Sequence, residues 1–199
     1  MNLWTAIVPL QAAGRRKTRL AAALSPIERD RLAQTLFDHV VDALASSPSV
    51  GRICVLSADR PTRDGLGWLV DDGRGLNAEL QALTVEGPRL VIHADLPLVS
   101  TEDIETLLSA AREGGAIAPD RHGTGVNAIA LSAGLTIAFR FGPGSFALHQ
   151  AEARKALTVI ERPGLALDID TPDDLAEAAR RGFSSIAAAK PLAAEPRTR

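Results

Sequence analysis

"SPIERDRLAQTLFDHVVDALASSPSVGRICVLSADR", residues 25–60, holds a helix, a turn and a buried strand in one continuous run. Ser25 is placed to cap, Pro26 suits the first helical position, and Glu28 closes a capping box. Leu32, Leu36, Val40 and Leu44 then recur every four residues, which predicts an amphipathic helix with one buried stripe. "RICVLS" (52–57) follows as a short apolar run ending in the polar "SADR", as expected of a strand buried on both faces. A helix feeding a doubly buried strand is the repeating unit of an α/β domain.

Working outward, the same alternation continues. "LWTAIVP" (3–9), stopped by proline, reads as the first strand, and "WLV" (68–70) as a short one after a turn-rich connection. "GLNAELQALTV" (75–85) predicts a helix opening at Asn77 after the turn from Asp71 to Gly75, and "RLVIH" (89–93) a strand that delivers Asp95 just before Pro97. Ser100 to Glu113 reads as a capped helix stopped by Gly114 and Gly115. "AIAPD" (116–120) and "NAIAL" (127–131) read as short strands flanking "RHGTG". "GSFALHQAEARKAL" (144–157) predicts a helix, "LALDID" (165–170) a strand end, and "TPDDLAEAARRG" (171–182) a final helix capped by Thr171. The expected fold is therefore a single Rossmann-like α/β domain over residues 1–182, with a mostly parallel sheet flanked by helices. From Phe183 the periodicity is lost, which predicts a poorly ordered tail over 183–199.

Composition narrows the function. The 199 residues are 46% apolar and carry a formal charge of −2, with five Phe, two Trp and no Tyr. Neither a basic surface nor a stacking platform for bases is present, so nucleic acid is not an expected partner. A single cysteine, Cys54, lies inside an apolar run, which excludes a disulfide framework or thiolate cluster and fits a reducing cytoplasm. No apolar run approaches the ~20 residues of a membrane span, and "MNLWTAIVPL" lacks the marks of a signal peptide. The expected location is cytoplasmic, off the membrane, and a homodimer is an allowed assembly.

In parallel sheets ligands bind beyond the carboxyl ends of the strands. The polar clusters "QAAGRRKTR", "SADR", "HAD", "PDRHGTG" and "DIDT" all fall there. The first offers Gly14 with Arg15, Arg16, Lys17 and Arg19, either a phosphate cradle or a solvated basic loop. Neither a P-loop nor a dinucleotide fingerprint is present. Asp168 and Asp170 share one face of an extended segment, and with Asp95 they offer hard oxygen ligands suited to Mg²⁺. The plainer alternative is that Asp170 merely precedes a helix cap. His93, His122 and His149 do not space as a triad, and no serine sits in a G-x-S-x-G turn, so hydrolase chemistry ranks low. "RHGTG" and "FGPGS" could be tight turns, or amides converging on an anion with Thr124 and Ser145 adding hydroxyl donors.

The runs "IVP", "RKTRLA", "LSPIERDRLA", "GLNAEL", "ADLPL", "APDRHGTGVNA", "RFGPGSFALH" and "GLALDIDTPDDL", in this order between Leu3 and Ala179, resemble the 2-phospho-L-lactate or phosphoenolpyruvate guanylyltransferases of deazaflavin coenzyme F-420 biosynthesis. That family looks like a branch of the molybdopterin-guanylyltransferase-like nucleotidyltransferases. The resemblance implies GTP as donor, Mg²⁺ as cofactor, a small phosphorylated acid as acceptor and pyrophosphate as product. It puts Lys17 and Arg19 at the GTP phosphates, and Asp95, Asp168 and Asp170 on the metal. Gly14, Gly75 and Asn77 fall on the nucleotide side. Thr124, Gly125, Val126, Gly142 and Ser145 fall on the acceptor. Three positions depart from the family pattern: Gln11 where a lysine is usual, His93 before "AD", and Val126 in place of a second threonine. Rival readings are a molybdopterin guanylyltransferase, disfavoured because no L-A-G-G loop follows the first strand, and a non-catalytic nucleotide-binding regulator.

Overall fold

The structure, a computed structural model, describes residues 3–11, 17–152 and 156–184. Seven strands, β1 (Trp4–Pro9), β2 (Val50–Ser57), β3 (Gly67–Val70), β4 (Arg89–Ile92), β5 (Gly115–Pro119), β6 (Val126–Leu131) and β7 (Leu157–Val159), form one sheet in the order β3-β2-β1-β4-β6-β5-β7. All neighbours pair parallel except β6, which runs antiparallel to both β4 and β5. The helices are α1 (Pro26–Ala45), α2 (Leu76–Ala82), α3 (Thr101–Ala110), α4 (Ser145–Glu152), α5 (Pro163–Ala166) and α6 (Pro172–Arg180).

Alternation along the strands divides the core into two layers. On one face Ala6, Val8, Val55, Leu90 and Ile92 pack with Phe37, Val40 and Leu44 of α1 and Ile104 and Leu107 of α3. On the other, Ile7, Leu56, Val91 and Ile129 pack with Leu80 of α2 and with Ile137 and Phe139. A third cluster joins Leu32 and Leu36 of α1 to Leu20, Leu167, Ile169 and Leu175. The expected capping box closes at Ser25 with Glu28, and the caps read at Ser100 and Thr171 are also boxes, closed by Asp103 and Asp174.

Two local expectations are corrected. Of the helix read over 144–157, Ser145–Glu152 is described as helix, 153–155 lie outside the described residues, and Leu157 opens the edge strand β7 beside β5. "LALDID" forms no strand: its first residues close α5, and 167–170 run outside the sheet. The apolar alternation is nevertheless real, because Leu167 and Ile169 are buried in the third cluster, and Ile169 N–H donates to Asp95 O at 3.1 Å. Phe183, read as the start of the tail, packs against that same cluster, while 185–199 lie outside the described residues. Among the described residues no helix is long and apolar enough to cross a membrane.

Candidate active site

Parallel pairing of β4 with β1 and of β1 with β2 brings three strand ends to one edge of the sheet. A cavity of about 400 Å³ opens there, lined among others by Leu10, Gln11, Lys17, Asp71, His93, Asp95 and Asp170. Asp95 follows β4, and the 167–170 segment crosses the same edge. Ligand oxygens of Asp95, Asp168 and Asp170 all lie within 4.8 Å of one another. Residues separated by more than seventy positions therefore form one acidic cluster.

Lys17 enters this cluster. Its Nζ lies 2.5 Å from Asp95 Oδ2, 2.5 Å from Ile169 O and 3.4 Å from Asp170 Oδ1, and its side chain is 8% exposed. Burial opposes the ammonium charge, but Asp95 first, then Asp170 and Asp168, outweigh it and hold Lys17 above its ordinary value. Burial likewise works against Asp95, yet Lys17 and then His93 hold its carboxyl below the usual range. Asp168 goes the other way: burial, with the like charges of Asp95 and Asp170, pushes its carboxyl up. Lys17 also carries φ 54°, the left-handed region that costs a lysine about 1–2 kcal/mol. Arg19, 73% exposed, reaches Asp170 Oδ2 at 3.1 Å from the outer side.

The cluster retains unmet demand. Asp95 Oδ1 is buried without a hydrogen-bond partner among the described residues. A buried anionic oxygen without a donor is costly, and a hard divalent cation is the species that an all-carboxylate donor set accepts.

Several side chains hold these ligands in place, and reading the sequence had missed them. Buried Asn127 donates Nδ2–H to Leu165 O at 2.9 Å and Ala166 O at 3.2 Å, and approaches Asp168 Oδ1 at 3.5 Å. Asp174 Oδ2 accepts from the amides of Asp170 and Thr171, while its Oδ1 pairs with Arg121 of the "RHGTG" loop. Glu79 ties down the turn before α2 through the backbone and guanidinium of Arg74. A polar residue following "GTGV" and an acid inside a capping box were the available signals.

The two glycine-rich loops touch, since Phe146 N–H donates to Thr124 O at 3.1 Å. Their residues divide between support and donors without a partner among the described residues, of which Gly142 and Gly144 are exposed and Ser145 is buried. Thr124 spends its amide and hydroxyl on Asp120, and Gly125 is required beside it because an added Cβ would stand 2.7 Å from Asp120 Oδ2. Val126 is not a surface contact: it opens β6 and is buried among Ile129, Ile137 and Phe139. Asn77, read as lining the nucleotide side, instead clamps Phe141, donating to its carbonyl at 2.9 Å and accepting from its amide at 2.7 Å. Its neighbour Leu76 lines the cavity, and Gly75, at φ 91°, caps α2 without a side-chain bond. Gly142 and Gly144 sit at φ 125° and 70°, and their amides, with the Ser145 hydroxyl, have no partner among the described residues. The Phe141 ring lies 5.4 Å from that of His93, so this loop abuts the cavity wall. Gly14 lies outside the described residues.

A family model described as "Guanylyl transferase CofC like" matches residues 4–187. A phosphoenolpyruvate guanylyltransferase of Sphaerobacter thermophilus is 42% identical over 87% of this chain and 91% of its own length. A 2-phospho-L-lactate guanylyltransferase of Methanothermobacter thermautotrophicus is 33% identical over 86% of this chain and 82% of its own length. Among solved structures, a protein of Desulfovibrio desulfuricans G20 placed among the nucleotide-diphospho-sugar transferases superposes with a TM-score of 0.69 at 15% identity, covering 96% of this chain and 93% of that one. That likeness establishes the fold as nucleotidyltransferase-like.

Proposed function

The chain belongs to the CofC-like guanylyl transferase family, and on that premise we propose that it transfers GMP from GTP to a small phosphorylated carboxylic acid, phosphoenolpyruvate foremost, in coenzyme F-420 biosynthesis. The observation that carries this reading is the convergence of Asp95, Asp168 and Asp170 within 4.8 Å beside a cavity of about 400 Å³. Mg²⁺ is the cofactor we assign to the three carboxylates, a reading supported by Asp95 Oδ1, which has no partner among the described residues. When bound, it supplies positive charge where nucleotide and acceptor phosphates meet.

The chain's own residues do the rest. A phosphomonoester has its second pKa near ~6, so at neutral pH its oxygen is already a nucleophile and needs no general base. One oxygen of the acceptor phosphate forms a bond to the α-phosphorus, the bond to the β-phosphate bridging oxygen breaks, and pyrophosphate leaves in line. The problem is the meeting of two polyanions, and the protein answers with position and charge. Gly142, Gly144 and Ser145 offer amide and hydroxyl donors to the acceptor. Lys17 and Arg19, flanking Asp170, neutralise the departing pyrophosphate. The cavity bounded by Gln11, Asp71 and Leu76 takes the nucleotide.

The 42% identity to a phosphoenolpyruvate guanylyltransferase supports that acceptor over 2-phospholactate or 3-phosphoglycerate. Incubation with GTP, Mg²⁺ and each of the three acids, followed by mass spectrometry, tests the proposal. A guanylylated phosphoenolpyruvate with equimolar pyrophosphate is expected, and no guanylylated product with any acid contradicts it.

A further inference from the structure

The loop Arg140–Ser145 is short and contains a proline and two glycines at positive φ. Its two ends are bonded to one side chain. His149, on α4 and fully buried, places Nε2 2.9 Å from the amide nitrogen of Arg140 and Nδ1 2.8 Å from the carbonyl oxygen of Ser145. One imidazole thus spans both ends of the loop.

The chemistry of these partners fixes the proton. An amide N–H can only donate, so Nε2 must be the bare acceptor nitrogen. A carbonyl can only accept, so Nδ1 must carry the hydrogen. A doubly protonated ring would set an N–H against the Arg140 N–H. The groups facing the ring agree with a neutral state: it packs edge-on to Phe141 at 5.1 Å, and its charged neighbours, Arg140 and Glu152, lie 3.8 Å apart from each other as a pair. Burial is the largest influence and lowers the ring's affinity for a second proton; the bond to Ser145 opposes it, Arg140 adds to it and Glu152 opposes it least.

The remaining bonds of the loop show what the ring contributes. Phe141 is clamped by Asn77, Ser145 N–H closes on Gly142 O, and Phe146 N–H reaches Thr124 O. With His149 added, the loop donors without a partner among the described residues include the amides of Gly142 and Gly144 and the Ser145 hydroxyl, the donors assigned above to the acceptor. We propose that His149 is the positioning residue of the acceptor loop: a neutral imidazole, protonated on Nδ1, that ties Arg140 to Ser145 and holds the donors between them aimed at the phosphorylated acid. It touches neither substrate. This inference rests on the acceptor reading of Gly142 and Ser145 and goes beyond it, because it names what shapes that subsite and in which protonation state.

The test combines two variants with a spectroscopic readout. In His149→Phe the ring volume remains and both bonds are lost; in His149→Gln a side-chain carbonyl can again accept from Arg140 N–H. The KM for phosphoenolpyruvate should rise about tenfold or more in His149→Phe, as expected when a buried amide and carbonyl lose their partners. GTP affinity by calorimetry should stay within about twofold, and His149→Gln should recover most of the loss. An unchanged KM, or a parallel loss of GTP affinity, overturns the assignment. Nitrogen-15 NMR of the wild-type imidazole needs no variant to fold and no turnover: it should show one neutral ring with the proton on Nδ1, staying neutral below the pH at which a free imidazole protonates. A proton on Nε2, or protonation near the ordinary value of ~6.5, overturns the clamp even if GMP transfer is confirmed. A wild-type protein that transfers GMP to no acid removes the acceptor reading instead, and the NMR result still decides the clamp.

Discussion

Lys17 Nζ and Asp95 Oδ2 stand 2.5 Å apart although 78 residues separate them in sequence, and their contact ties Lys17 to the end of β4 within the acidic cluster. With Asp168 and Asp170 alongside, the ammonium offsets carboxylates that would otherwise repel. Lys17→Met should therefore destabilise the metal-free protein by about 2 kcal/mol, below the ~3–5 kcal/mol of fully buried pairs because Asp95 and Asp170 are part-open. Mg²⁺ should return part of the loss by binding only the folded state. Urea unfolding in EDTA and in Mg²⁺ checks this; equal stability of variant and wild type in EDTA contradicts it.

Asn127 holds the carbonyls of Leu165 and Ala166 and so the segment that delivers Asp168. Removing its amide in Asn127→Ala should cost about 1–3 kcal/mol for the carbonyls left unpaired. Mn²⁺ affinity should fall about 10–100-fold, the usual effect of losing a residue that orients a ligand. Mn²⁺ titration followed by electron paramagnetic resonance reads the second effect separately from stability. Wild-type Mn²⁺ affinity would show that Asp168 is placed without Asn127.

Stability should depend on pH through His149. Its folded-state affinity for a proton is lowered by burial, so between the unfolded value near ~6.5 and the lower folded value the unfolded chain binds more protons. The contribution is thus fully present above ~6.5 and is lost as pH falls through that window. Urea midpoints at pH 7.5 and 5.5 should differ more for wild type than for His149→Gln. Equal differences would remove His149 as the cause.

The α/β alternation was legible because it rests on local chemistry. The Ser25 box, the four-residue stripe from Leu32 to Leu44 and the doubly buried "CVL" of β2 depend on near neighbours, and each formed as read. β6 shows the limit. "NAIAL" marks a buried strand equally well in either direction, and only the short return from β5 makes it antiparallel. "LALDID" misled for a related reason: period-two alternation buries Leu167 and Ile169 against helices as readily as in a sheet. The acidic residues were legible by type and by position after strands. The supporting residues were less so: the Thr171-x-x-Asp174 spacing marks a cap but not the bond to the Asp170 amide, and Asn127, Asn77 and His149 act through bonds to distant or loop backbone atoms that no sequence spacing encodes. Val126 fell on the acceptor side by motif and inside the core by geometry, since β6 begins there with its side chain turned inward.

The central claim is that three aspartates gathered at one sheet edge carry the transfer of GMP. Pyrophosphate release from GTP by Asp95→Asn, with Mg²⁺ and phosphoenolpyruvate, tests it most directly, because the change removes one charge and almost no volume. We predict a fall of about 10²–10³-fold, the scale of losing one preorganised electrostatic contact, in a protein that still unfolds cooperatively but at a lower urea midpoint, because Lys17 loses its first ion-pair partner. Turnover equal to wild type would contradict the account.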